Sequence, residues 1–181
     1  MISTAVVLAL VVGAAVWIYN RLVADRNQVK NAWSDIDVQL ARRYDLVPQL
    51  VSAVKGYADY EQATMVAVTE LRARSESSER LADRAALEDA MEVGLHRLIA
   101  VQEDYPDLKA DENFRALQTS LTEVEDHLQY ARRFYNGSVR IFNTRIESFP
   151  HLLLAGPLGF KPGEFFEADD QARANVEVKL S

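Results

Sequence analysis

From Phe114 to Phe142 the chain reads FRALQTSLTEVEDHLQYARRFYNGSVRIF, and this stretch decides the fold. Phe114, Leu117, Leu121, Val124, Leu128, Ala131, Tyr135, Ser138 and Phe142 follow one another at steps of three and four. On a helix of 3.6 residues per turn that spacing draws one stripe along a single face, the pattern of bundle or coiled-coil packing. Asn136-Gly137 is a turn signal, yet the apolar phase runs through it unbroken. The helix is therefore expected to continue, at a cost of ~1 kcal/mol for the glycine. The triplet Asn136-Gly137-Ser138 also matches a glycosylation acceptor, which inside a helix reads as coincidence.

Three earlier segments carry the same rhythm. One holds Leu22, Val29, Trp33, Ile36 and Leu40; a second runs Leu46, Leu50, Ala53, Tyr57, Tyr60, Thr64, Ala67 and Leu71; a third runs Leu87, Met91, Gly94, Leu98, Val101 and Tyr105. Asp45 is read as an N-cap before Leu46-Val47-Pro48, because proline is at home only in a first turn. Ser75-Glu76-Ser77-Ser78 reads as a polar loop. Tyr105-Pro106 and Phe149-Pro150 are expected to end helices, since a residue before proline avoids helical angles. Short connections favour antiparallel neighbours, so the chain should rise, return, rise and return. That topology sets Phe142 to Phe149 beside Tyr19 to Arg26.

The opening residues decide placement. From Ile2 to Tyr19 no side chain is charged, and a helix of that length measures roughly 27 Å, enough to cross a bilayer core. Trp17 and Tyr19 stand at its end, where amphipathic rings favour the lipid–water boundary. A cleaved signal peptide, with Gly13-Ala14-Ala15 as cleavage site, is the competing reading; signal peptides open on Lys or Arg, and none precedes Arg21. Arg21, Arg26 and Lys30 follow the span, so the positive-inside rule predicts an outer N-terminus and a cytoplasmic bundle at the inner membrane. The fold class is all-α: a transmembrane anchor over 1–19 continuing into an antiparallel four-helix bundle over 20–150. An irregular tail over 151–181 packs near the membrane end, with a short strand at Val176 to Leu180 as an option.

The 181 residues carry no cysteine and a net charge of −7. Thiolate chemistry and Cys-ligated metals are thereby excluded, and an acidic chain is a poor partner for nucleic acid. A di-metal bundle site needs inward carboxylates with Glu-x-x-His pairs. Glu92/His96 and Glu123/His127 stand four apart, in a chain with three histidines, so solvated side-chain pairs are expected. Gly156-Pro157-Leu158-Gly159 follows no strand, so it is no phosphate loop. No cofactor is expected.

The polar residues that draw attention are Asp37, Arg42, Arg43 and Asp45 near Trp33, with Arg132 and Arg133 on the last helix. They read either as solvated charges of little weight or as a partly buried network that sets helix register or a partner surface. Trp33 is read as core, so its truncation would cost ~3–5 kcal/mol. Tyr135-Asn136 and Phe142-Asn143 stand seven apart, with both aromatics on the core row and both amides on its flank. Such amides serve helix packing or contact with a second subunit. Phe149 and the apolar run His151 to Phe160 close the structural candidates, as a cap, a lipid contact or a docking surface.

Two stretches resemble the LemA family of bacterial membrane proteins. The first holds Tyr19-Asn20, Arg26-Asn27, Ala32-Trp33-Ser34, Ile36 to Leu40, Arg42-Arg43, Asp45 to Pro48 and Lys55-Gly56-Tyr57. The second holds Ala131 to Asn136, Asn143, Phe149-Pro150, Gly159-Phe160 and Phe165-Phe166-Glu167. The resemblance implies one N-terminal membrane helix, an antiparallel bundle and no known reaction. Some members of that family are associated with building membrane organelles. Together these readings predict a non-enzymatic, self-associating scaffold of the bacterial envelope. The alternatives are an adaptor for another membrane protein, such as a protease or sensor, and a metal-dependent bundle enzyme.

Overall fold

A computed structural model describes residues 2–57, 61–168 and 176. Its helices are α1 (Ile2–Lys55), α2 (Gln62–Ser77), α3 (Leu81–Ala100), α4 (Pro106–Ala110), α5 (Glu112–Glu147) and α6 (Leu152–Ala155). No strand occurs among the described residues. The expected strand at Val176 to Leu180 lies outside them, Val176 excepted.

The break expected at Asp45 does not exist: α1 runs on through Pro48 to Lys55. Proline costs a helix one hydrogen bond and crowds the carbonyl four residues back. That carbonyl, of Tyr44, accepts instead from Arg72 Nε at 2.8 Å. The apolar stripe also carries on across the gap, with Leu40, Val47, Leu50 and Val54 all buried at the same three-four rhythm. Burial along this face outweighs the local cost. Asp45 is exposed and caps nothing; its carbonyl takes the Gln49 amide at 2.9 Å. Helix α1 stops after Lys55 at Gly56, and the second helix starts at Gln62; Tyr60 lies outside the described residues.

Other boundaries follow local chemistry. Helix α3 ends at Ala100, followed by a 3-10 turn at Val101–Glu103. Pro106 then occupies the first turn of α4, where its missing N–H costs nothing. Asp111 caps α5, its Oδ1 accepting the Phe114 N–H at 2.8 Å. Helix α5 passes unbroken through Asn136-Gly137, as its phase predicted.

The chain forms two compact units. One holds residues 37–130 with the segment from Phe166 onward, and is a four-helix bundle. Its order is legible in side-chain pairs. Tyr44 meets Arg72 and Ser75, which sets α1 against α2; Asp37–Arg84 and Arg43–Glu88 set α1 alongside α3, in the same direction; Arg43–Glu125 brings in α5. The other unit holds residues up to 36 with 131–165. Here Ile18 and Leu22 of α1 share a core with Phe142 and Ile146 of α5, and Trp33 meets Tyr135. Rising numbers on α1 thus pair with falling numbers on α5, the antiparallel arrangement predicted for the membrane end.

Candidate functional site

At the centre of the bundle unit lies a buried polar cluster. Arg43 and Glu88 are each 1% exposed, and Arg43 Nη1 donates to Glu88 Oε2 at 2.9 Å. The other Glu88 oxygen accepts from the Tyr44 hydroxyl and from Ser75 Oγ. Arg43 Nη2 pairs with Glu125. Every oxygen and both terminal guanidinium nitrogens therefore have partners, which is the condition for keeping an ion pair out of water. Burial, and then the Glu88 charge, pushes the Tyr44 phenol up to about 12. The cluster ties α1, α2, α3 and α5 at one level. Such a network fixes which helix faces which, because a shift of register would leave a buried charge unpaired.

Arg43 was visible in the sequence as part of a charged group; Glu88, Tyr44, Ser75 and Glu125 were not. A signal did exist. Arg43 occupies a core position between Leu40 and Val47, and Glu88 stands three residues before Met91 on the α3 stripe. Breaking α1 at Asp45 concealed the first of these.

The remaining sequence candidates fall in different surroundings. Asp37 is exposed and pairs with Arg84 at 3.2 Å. Arg42 is exposed and lies 3.5 Å from Gln39 Oε1; Arg133 is exposed and Arg132 half-buried. Trp33 is half-buried rather than core, its ring set edge-on to Tyr135 at a centroid distance of 5.5 Å. Among the described residues no group of three or more His, Asp and Glu side chains is placed to hold a metal ion. His96 meets Glu92 at 4.0 Å on the surface, and His127 is exposed.

The second unit carries the apolar helix. Between Val6 and Trp17 the large side chains stand exposed, Leu8 at 64% and Leu10 at 68%. The segment after α5 folds back onto this helix at its polar end. His151 is buried with its ring 5.9 Å from that of Trp17, and burial, then the Arg145 charge, holds its imidazole below the usual range. Phe160 inserts between Tyr19 and Phe142, with the Arg26 guanidinium 5.1 Å from its ring centre. Asp25 pairs with Arg145 across the two helices.

Two clamps hold the returning chain. Asn143 Oδ1 accepts the Gly163 N–H at 2.8 Å, and Asn143 Nδ2 donates to the Gly163 carbonyl at 2.9 Å. The Tyr135 hydroxyl donates to the Glu164 carbonyl at 2.9 Å. Tyr135 and Phe142 face inward and Asn136 and Asn143 lie half-buried on the flank. The Asn143 amide therefore binds the chain's own C-terminal segment. Phe149 is 80% exposed, and Leu152, Leu153 and Leu158 are exposed as well.

Comparison with known proteins agrees with this architecture. Protein LemA of Metamycoplasma hominis is 26% identical over 162 residues, covering 88% of this chain and 73% of its own length. Magnetosome protein MamQ 2 of Paramagnetospirillum magneticum is 26% identical over 175 residues, covering 82% of this chain and 64% of its own. Magnetosome protein MamQ of Magnetospirillum gryphiswaldense is 26% identical over 174 residues, with the same coverage. The chain thus spans less than two thirds of the MamQ proteins it matches. The family model described as LemA family matches residues 32–180. With one exposed apolar helix followed by antiparallel helices, this is a membrane-associated helical protein, and it belongs to the LemA family.

Proposed function

We propose that the protein is a membrane-tethered helical scaffold of the bacterial envelope that self-associates and works by binding rather than by catalysis. One observation carries the tether. Between Val6 and Val16 the helix α1 exposes Val and Leu all round, an arrangement that is costly in water and favourable in lipid. Arg21, Arg26 and Lys30 follow the span, which by charge bias favours an outer N-terminus and an inner-membrane location with the bundle in the cytoplasm.

Support for self-association comes from α5. Phe134 and Ile141 are exposed seven residues apart, on one line along the outside of the helix. A line with heptad spacing suits a second copy's helix, and tethering to a surface raises local concentration. Cross-linking in membranes, followed by sizing of the detergent-solubilised protein, tests this. Homotypic products and a discrete oligomer are expected; a strict monomer sinks the scaffold.

The adaptor reading has its own support. Residues 37–130 and 166–181 hold twelve basic against twenty-three acidic residues. So acidic a unit repels its copies and suits a basic face on another membrane protein. The same cross-linking separates the readings, because a single heterologous product favours the adaptor.

A further inference from the structure

We propose that the polar end of the unit carrying the apolar helix seats an anionic phospholipid, its phosphate in a groove along the last turns of α5. The proposal rests on the membrane tether. The groove measures about 420 Å³ and is lined by Arg140, Ile141, Thr144, Arg145, Ser148 and Phe149, with His151 at its foot. Arg140, Thr144 and Ser148 succeed one another at four-residue steps, so they share one helix face. Ile141 and Phe149 flank that face and are exposed.

Position identifies the occupant. His151 touches Trp17, so the foot of the groove stands where the apolar helix ends, at the depth where tryptophan rings and lipid headgroups meet. Phe149 on the groove and Leu152 and Leu153, which directly follow His151, are exposed, which suits acyl chains rather than water. Arg140 lies about 12 Å above Ser148 by helical rise, with Thr144 midway between them.

Charge agrees. In a chain of net charge −7, residues up to 36 and 131–165 hold eight basic against four acidic residues. The cationic surplus is thus confined to the unit that carries the apolar helix. Asp25 already occupies one edge of Arg145, whereas Arg140 forms no ion pair among the described residues and is exposed. An exposed guanidinium over a row of hydroxyls is a phosphate seat, and its exposure makes Arg140 a safe site to alter.

The test uses the full chain in a zwitterionic detergent, titrated with short-chain phosphatidylglycerol, short-chain phosphatidylcholine or inorganic phosphate, with melting temperature as readout. Phosphatidylglycerol is expected to raise the melting temperature of the native protein, while phosphatidylcholine and inorganic phosphate leave it unchanged. Arg140→Gln should weaken the apparent affinity about tenfold, the loss of one charge-assisted hydrogen bond, without changing the melting temperature of the lipid-free protein. An equal response to phosphatidylcholine, or an undiminished response in Arg140→Gln, overturns the seat. An equal response to inorganic phosphate replaces it with a free-anion site. Flotation of the native chain with phosphatidylcholine vesicles is the separate control. If the chain floats but shows no headgroup preference, only the seat fails; if it does not float, the tether fails too.

Discussion

Arg72 donates its Nε hydrogen to the carbonyl of Tyr44, the acceptor that Pro48 leaves without its helical partner. A side chain from α2 thus repairs the one backbone bond that a proline removes from α1. Replacing Arg72 by Ala should cost about 1–3 kcal/mol, because the carbonyl is stranded where water is scarce. Combined with Pro48→Ala, which restores the N–H, most of that penalty should disappear. Denaturant unfolding of the double-mutant cycle checks it. Additive penalties would mean that Arg72 acts elsewhere.

The Arg43–Glu88 pair should behave as a unit. Arg43→Met alone strands a buried carboxylate and is expected to cost about 3–5 kcal/mol. Arg43→Met with Glu88→Leu removes both charges and should cost distinctly less than the sum of the singles. A coupling energy near zero in chemical denaturation would refute the assignment of Glu88 as the balancing charge.

Alkaline stability should report Tyr44. Its folded-state pKa is raised from 10.0 to about 12. The contribution is therefore complete below pH 10 and is lost as pH climbs toward 12, where the unfolded phenol ionises and the folded one does not. The decline attributable to this residue is about 2–3 kcal/mol. Tyr44→Phe should flatten it, and unfolding curves at successive pH values measure the slope. A slope unchanged by Tyr44→Phe would assign the decline to other groups.

Asn143 and Gly163 make opposite predictions from one contact. Asn143→Ala removes both hydrogen bonds to the Gly163 backbone and should cost about 1–3 kcal/mol, with faster hydrogen exchange over residues 160–165. A methyl group at Gly163 meets Val139 Cγ1 at 3.5 Å, an ordinary contact, so Gly163→Ala should be nearly neutral. The reverse ranking would mean that space at position 163, not the amide clamp, holds the C-terminal segment.

What the amino-acid order determined by itself was everything periodic. The α5 stripe, the charge-free opening and the antiparallel pairing of Phe142 with Leu22 follow from apolar spacing, which burial enforces at every turn. Proline at position 48 misled, because the rule for it is local and the remedy came from Arg72, twenty-four residues away on another helix. Trp33 misled in the same way. Its spacing placed it on the stripe, yet it is half-buried, with its ring edge-on to Tyr135.

Tertiary structure alone decided which charges go inside. Arg42 and Arg43 are adjacent and chemically alike, yet one is solvated and the other buried between Glu88 and Glu125. The difference is a rotation of one residue about the α1 axis, together with carboxylates that arrive from α3 and α5. Spacing along one helix encodes the first; no local pattern encodes the second. Because a charge leaves water only when partners from other helices receive it, burial of a polar side chain is a property of the assembled bundle.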